Sequence, residues 1–117
     1  MYDKLTETSI LFDLYGQLLT NKQRDVFKMY YEEDFSLAEI AEELGISRQG
    51  VHDAVKKGEK ALTEYESKLG LFKRLIETEN IFNKIEDKIN HMITANQEND
   101  ALINDLNEIK KLVVENM

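Results

Sequence analysis

The chain of 117 residues contains no cysteine, no proline and no tryptophan, and only five glycines. Without cysteine it can form neither disulfides nor thiolate metal sites. Without proline, and with little glycine, few positions interrupt long helices. No apolar run approaches the roughly 18 residues that span a bilayer, and the N-terminus lacks the basic-then-apolar pattern of a signal peptide. We therefore predict a nearly all-helical cytoplasmic protein with no membrane segment.

Positive charge is also scarce, with 15 Lys and Arg against 23 Asp and Glu and a net charge of −8. Because nucleic-acid-binding domains usually present a basic footprint, any such footprint here must be local. Residues 47–60 carry a net +2, which leaves −10 for the rest of the chain. An acidic body behind a mildly basic helix would orient the protein on a phosphate backbone, and would also weaken non-specific binding.

The most informative segment is residues 36–55, which predicts two short helices joined by a tight turn. An apolar face ends at Leu44, Gly45 can adopt the left-handed backbone that closes a helix, and Ser47 is a good N-cap for the next one. Apolar residues then return at helical spacing from Val51. The small side chain of Ala41 favours a close crossing of the two helices. This spacing of Ala, Gly and Val is typical of a helix-turn-helix.

Four helices are predicted before Gly70, and the third and fourth of them form this unit. The first spans about residues 5–19, and its predicted buried side consists of Ile10, Leu11, Leu14, Tyr15 and Leu18. The second follows a capping box of Thr20 and Gln23, and the third follows one of Ser36 and Glu39. The fourth begins after Ser47 and has no stop signal before Gly70. Gly58 is expected to weaken it by roughly 1 kcal/mol relative to alanine.

Beyond Gly70 the apolar residues follow a heptad pattern, in which Thr78 fills one gap: Leu71, Leu75, Phe82, Ile85, Ile89 and Met92. The polar residues 94–100 interrupt the pattern, and Leu102, Leu106, Ile109 and Val113 resume it. We predict a helix-turn-helix domain over residues 1–70 and an extension of two amphipathic helices over residues 71–117. We predict a homodimer through this extension, and the alternative is that the extension only packs on the domain.

The exposed side of the fourth helix is the predicted nucleic-acid-binding site. Its first turn normally enters the major groove, and the candidate residues are Arg48, Gln49, His52, Lys56, Lys57 and Lys60. Gly50 offers no side chain to a base, and Asp53 would repel phosphate. Two alternatives stay open, a solvated lysine face and a helix-turn-helix that binds protein only. Because the sequence has no Gly-rich phosphate loop, histidine pair or paired nucleophile and base, we predict no catalytic, cofactor or metal site.

Part of the chain resembles region four of bacterial sigma factors. The matching positions are Leu19, Gln23-Arg24, Val26-Phe27, Ser36, Glu39-Ile40-Ala41, Ser47-Arg48 and Val51. This resemblance implies a tri-helical helix-turn-helix core over residues 20–69 within an all-α fold. It does not imply promoter recognition, because no other sigma region is present.

The whole chain resembles the YlxM family (UPF0122) of small Firmicute proteins. The segments that carry the resemblance are LFDLYGQLLTNKQRDVF at residues 11–27, SLAEIAEELGISRQGVHDAVKKGEKAL at residues 36–62, and the acidic helical tail. The resemblance implies a helix-turn-helix protein associated with the signal recognition particle. The implied partners are DNA or the particle's RNA, and the particle's GTPase. The alternative is an accessory factor that binds the particle without sequence-specific DNA binding.

Overall fold

The structure is a computed structural model that describes residues 2–116 and contains no strand in that range. Its six α-helices are α1 (Lys4–Tyr15), α2 (Asn21–Phe27), α3 (Leu37–Leu44), α4 (Arg48–Leu69), α5 (Leu71–Ala95) and α6 (Asp100–Glu115). A 3₁₀ turn, Gly16–Leu18, follows α1, and a π-helical segment, Lys28–Glu32, prolongs α2. The chain divides into two compact units, of which one ends at Phe72 and the other begins at Lys73. The predicted all-α fold is confirmed.

Both predicted capping boxes are present. Thr20 Oγ1 accepts the Gln23 N–H at 3.2 Å, and Ser36 Oγ accepts the Glu39 N–H at 3.1 Å. The Glu39 carboxylate in turn accepts the Ser36 N–H at 3.0 Å, which stabilises its charged form and holds its pKa below the usual value. Gly45 ends α3 in the left-handed conformation, with φ 67°. These local signals therefore set the ends of the helices where the sequence predicted them.

The first helix differs from its prediction, because α1 ends at Tyr15 and a 3₁₀ turn replaces its last residues. Of the five predicted core positions, Leu11 and Tyr15 are buried. Ile10 and Leu14 are half-buried, and Leu18 is exposed. The 3₁₀ turn has about three residues per turn, so side chains after Tyr15 point in directions that a continued α-helix would not give them. Phe12 and Leu19 are buried instead.

Gly58 lies at a close approach of α4 to Phe27 of α2. Phe27 is fully buried, and its ring packs against Phe12 at 5.5 Å and Tyr31 at 5.1 Å between centroids. A Cβ atom added to Gly58 would lie 3.0 Å from Phe27 Cζ and nearer still to Cε1. The sequence predicted the helix-propensity cost of Gly58 but not this packing role. The absent side chain is what allows the aromatic ring to pack against the helix.

A buried tyrosine joins the end of α1 to the start of α5. The Tyr15 hydroxyl donates to Glu66 Oε1 at 2.7 Å and accepts the Leu71 N–H at 3.0 Å. The same Glu66 oxygen accepts the Phe72 N–H at 3.0 Å. Two N–H groups at the start of α5, which have no partner inside their own helix, thus bond to side chains from α1 and α4. Burial, followed by the hydrogen bond to Glu66, raises the pKa of Tyr15.

The second unit consists of most of α5 and α6, joined by residues 96–99. Asn99 caps α6 by accepting the Leu102 N–H at 3.1 Å. Ile89 and Leu106 lie at equal distances in sequence from the connection, and each is only 5% exposed. Their burial indicates that α6 turns back along α5 as an antiparallel hairpin. Among residues 2–116, no helix has both the length and the apolar character that crossing a bilayer requires.

The predicted heptad seam on α5 is only partly buried. Of its members within this unit Ile89 is buried and Phe82 half-buried, whereas Leu75, Ile85 and Met92 are 46%, 37% and 43% exposed. An α-helix of 3.6 residues per turn drifts about 20° per heptad against a strict seven-residue repeat. One short partner helix can therefore cover only part of the seam.

Tyr31 makes the free energy of unfolding depend on alkaline pH. Its hydroxyl donates to Glu59 Oε1 at 3.3 Å, and burial, followed by the charge of Glu59, raises the pKa of Tyr31 to about 12. In the unfolded chain this pKa returns to about 10. The contribution of Tyr31 is thus complete below pH about 10 and is lost as pH rises towards about 12. We expect Tyr31→Phe to reduce the fall in stability across this interval, as measured by denaturant unfolding at several pH values.

Tyr30→Phe is the matched control, since Tyr30 is its exposed neighbour and makes no hydrogen bond with the part of the chain that the structure describes. It should leave the alkaline slope close to that of the parent. An unchanged slope in Tyr31→Phe would contradict this assignment.

Candidate nucleic-acid interface

A small apolar core holds α3 and α4 in a helix-turn-helix. The buried cluster consists of Val26, Ile40, Ala41, Val51, Ala54 and Val55. Ala41 lies in this cluster, as predicted, and its carbonyl accepts the Ile46 N–H at 3.0 Å across the turn. Ser47 then starts α4 by accepting the Gly50 N–H at 3.0 Å. Because Val51, Ala54 and Val55 take up the inner side of α4, its opposite side is left free for a ligand.

All six predicted nucleic-acid-binding residues lie in α4, and all six are exposed. Gln49, Lys56 and Lys60 recur at i, i+7 and i+11, so they form one row along the side opposite the core, with His52 next to it. Arg48 begins the helix on the flank of this row. Lys57 falls about 100° around the helix from Lys56 and points to the other flank. The structure therefore brings Gln49, His52, Lys56 and Lys60 together on the outer side of α4 and places Arg48 and Lys57 on its two flanks.

Asp53 lies beside two of the candidate base readers and is hydrogen-bonded to one of them. Gln49 Nε2 donates to Asp53 Oδ1 at 3.0 Å, and His52 Nδ1 lies 3.9 Å from the same oxygen. The carboxylate fixes the direction of the Gln49 amide, which leaves the amide oxygen as an acceptor for a base edge. It also lowers the positive potential of the first two turns. The positive charge of this side of α4 is therefore carried by Arg48 and the lysines.

Among Arg48 and the three predicted lysines, Lys56 alone forms an ion pair with a described acidic residue. Its Nζ lies 4.0 Å from Glu59 Oε2, and the Lys56 side chain is 61% exposed. An exposed pair of this length is worth little in water. Lys56 can therefore exchange it for a phosphate at small cost. Glu59 stays in place because Tyr31 donates to its other oxygen.

Sequence reasoning missed one basic residue, Lys4. A hollow of about 500 Å³ lies between α1 and α4, and its lining residues include Lys4, Thr8, Lys56, Glu59, Lys60 and Glu64. Lys4 is exposed and makes no ion pair with any residue between 2 and 116. It adds a cation beside the row on α4, although two carboxylates share the hollow. No sequence signal identified Lys4, because only the packing of α1 on α4 brings it to this side.

The rest of the helix-turn-helix is acidic or apolar. On α3 the exposed residues include Glu39, Glu42 and Glu43. A polyanion would be repelled from that helix and attracted to α4. Within residues 2–116, no three His, Asp or Glu side chains come close enough together to hold a metal ion. The described geometry therefore offers a single candidate surface, the outer side of α4 with Lys4 next to it.

The fold and this surface define a protein of the helix-turn-helix class. Over residues 2–104 the chain matches the UPF0122 family, described as "Putative helix-turn-helix protein, YlxM / p13 like", and it belongs to that family.

Similar relatives include a UPF0122 protein of Thermoanaerobacter sp., which is 43% identical over 115 residues, covering 98% of this chain and 97% of the relative. Another is a UPF0122 protein of Caldanaerobacter subterraneus, 51% identical over 89 residues and 76% of each chain. A third, from Listeria welshimeri, is 42% identical over 89 residues, which are 76% of this chain and 81% of the relative.

Proposed function

We propose that this protein is a nucleic-acid-binding regulator of the signal recognition particle pathway in the cytoplasm, and that it carries out no catalytic step. The observation that supports this most strongly is the exposed row on α4, with Gln49, Lys56 and Lys60 on the side away from a fully apolar core. Arg48 and Gln49 stand in the first turn, where helix-turn-helix proteins reach base edges. The lysines further along α4 contact phosphates and fix the register.

The link to the signal recognition particle comes from the resemblance to the YlxM family. On a structured RNA the basic row would follow phosphates and 2′-hydroxyls without reading a sequence, because side chains cannot enter the deep, narrow major groove of an A-form helix. On DNA the same row would read bases through Arg48 and Gln49. One surface thus serves either target, and the target decides whether the first turn of α4 provides specificity.

A second candidate function is that of an accessory factor that binds the particle's GTPase through protein contacts. The net charge of −8 and the three exposed glutamates of α3 favour this alternative, because they oppose a broad polyanion interface. In that case binding would persist after nucleic acid is removed. Alanine substitutions of the basic residues on α4 would then leave binding to the GTPase unchanged.

The homodimer predicted from the C-terminal helices belongs to the same proposal. Two copies would present two α4 helices to two half-sites and multiply a modest affinity. This matters here because each copy offers few cations.

The proposal is tested by capturing the tagged full-length protein from a lysate of its source cells, with and without nuclease. Recovery of nuclease-sensitive fragments that share a DNA sequence, or of the particle's RNA, supports it and identifies the target. Recovery of the GTPase after complete nuclease digestion supports the second candidate instead. With a target identified, we expect Arg48→Ala to reduce discrimination between sequences. Lys60→Ala should weaken all sequences alike.

A further inference from the structure

An exposed apolar stripe runs along α5, and it contains two members of the predicted seam. Ile81, Ile85 and Met92 are 57%, 37% and 43% exposed and lie at i, i+4 and i+11, so they share one side of the helix. The buried Ile89 lies about 60° around the helix from Met92 and about 40° from Ile85, so the stripe borders the face that packs inside the hairpin.

Helix α6 carries a second stripe of the same kind. Ile109 and Leu112 are 46% and 60% exposed and lie one turn apart, whereas Leu106 is buried. Angles around each helix are counted in the direction of the chain, at about 100° per residue. In both helices the stripe lies at a smaller angle than the buried residue, so both stripes are rotated in the same sense. Because the two helices run antiparallel, rotations of the same sense place both stripes on the same face of the hairpin. Four exposed side chains, Ile81, Ile85, Ile109 and Leu112, thus form one apolar patch, which we name the hairpin face.

The charges that border the hairpin face differ between the two helices. On α5, Lys88 lies one turn from both Ile85 and Met92. On α6, Asp105 lies one turn before Ile109, and Glu108 lies one turn before Leu112. All three are exposed. A second copy can be related to the first by a two-fold axis parallel to the helices. Helix α5 of the second copy then lies over α6 of the first. Lys88 of one copy comes to nearly the same position along the helix axis as Asp105 and Glu108 of the other. The face is therefore complementary to itself in charge as well as in apolar character.

We infer that two copies of the chain associate through the hairpin face, α5 of each copy packing against α6 of the other. The 16 residues of α6 extend about 24 Å and two adjacent helices are about 20 Å wide, so each copy presents about 500 Å². A standard interface buries about 800 Å² per partner, so we expect a concentration-dependent dimer in the micromolar range. The inference rests on the homodimer of the proposed function and names its interface, but it does not depend on nucleic-acid binding, which the measurement below leaves out.

Sedimentation equilibrium of the full chain across the micromolar range tests the hairpin face. We expect the parent to approach twice the chain mass, and Ile85→Asp and Leu112→Asp each to raise the dimer dissociation constant at least about tenfold. Val114→Asp is the matched control, because Val114 is 51% exposed on α6 but lies about 200° around the helix from Leu112. Far-UV circular dichroism shows whether each variant keeps its helices.

The pairing of α5 with α6 is tested by charge reversal. Lys88→Glu and Asp105→Lys should each weaken the dimer, and the double variant should recover most of the loss, at low salt above all. A parent that remains a monomer throughout the range overturns the inference. So does a helical Ile85→Asp variant that dimerises like the parent, or a Val114→Asp variant that dissociates as readily as Leu112→Asp. If the double variant dimerises no more tightly than either single variant, the pairing of α5 with α6 is overturned.

Discussion

Gly58→Ala is expected to destabilise the protein by about 2 kcal/mol, although alanine is the better helix former by about 1 kcal/mol. The methyl group would meet the fully buried ring of Phe27, 3.0 Å from Cζ and closer to Cε1. The ring cannot move away, because Phe12 and Tyr31 pack against it. Helix α4 must therefore shift outwards, which loosens its contact with α2. A thermal or denaturant melt of the variant against the parent measures the loss.

A double-mutant cycle separates this clash from any general effect on α4. Phe27→Leu removes the ring and should itself destabilise the protein, since it leaves a cavity in the core. With the ring absent, adding Gly58→Ala should cost little or should even stabilise α4 through its helix propensity. The expected coupling between the two sites is about 2 kcal/mol. If the two changes instead add, the close approach is not the cause of the loss.

The parts of the fold that the sequence predicted are those set by residues near one another in the chain. Thr20 and Ser36 each form the hydrogen bonds of a capping box with a residue three positions on, and Gly45 closes α3 through its own backbone conformation. Such signals need no knowledge of the remaining chain. They located the helix-turn-helix because it is built from two consecutive helices and one tight turn.

One of the features that were missed is local, and the others depend on contacts between distant segments. The π-helical end of α2, where the Glu33 N–H bonds to the Lys28 carbonyl at 3.1 Å, has no turn residue to announce it. Gly58 appeared to be a defect until Phe27, 31 residues earlier, was found against it. On α5 the sequence correctly predicted that Ile89 is buried, but it also predicted burial for residues that the structure exposes. The extent of the buried seam depends on how much of α5 the shorter α6 covers.

The candidate site shows the same division. The six residues of α4 could be chosen from the sequence because helical spacing alone puts them outside the core, and the structure finds all six exposed. Their relation to Lys4 could not be foreseen, because it arises from α1 crossing α4. The hydrogen bond from Gln49 to Asp53 was not predicted either, although a spacing of four residues allows such a bond.

Replacing Arg48, Lys56, Lys57 and Lys60 together by alanine is expected to reduce nucleic-acid affinity at least about a hundredfold at moderate salt. Each phosphate contact on duplex DNA contributes roughly 0.9 to the slope of log affinity against log salt, so the slope should fall by up to roughly 3.6. On a single-stranded target each contact contributes roughly 0.7. Titrations at several salt concentrations, by fluorescence anisotropy, give both quantities with the nucleic acid recovered from the lysate.

The matched control removes four exposed lysines elsewhere, Lys22, Lys28, Lys68 and Lys111, and so changes the net charge by the same amount. If the α4 surface contacts phosphates, the control should lose only the long-range attraction common to any four charges, and its slope should stay near that of the parent. Lys4→Ala, made in the parent protein, should lower the slope of log affinity against log salt by the contribution of one phosphate contact. Equal losses in the two fourfold variants would show that overall charge, and not the row on α4, determines binding, and the interface would have to be sought elsewhere.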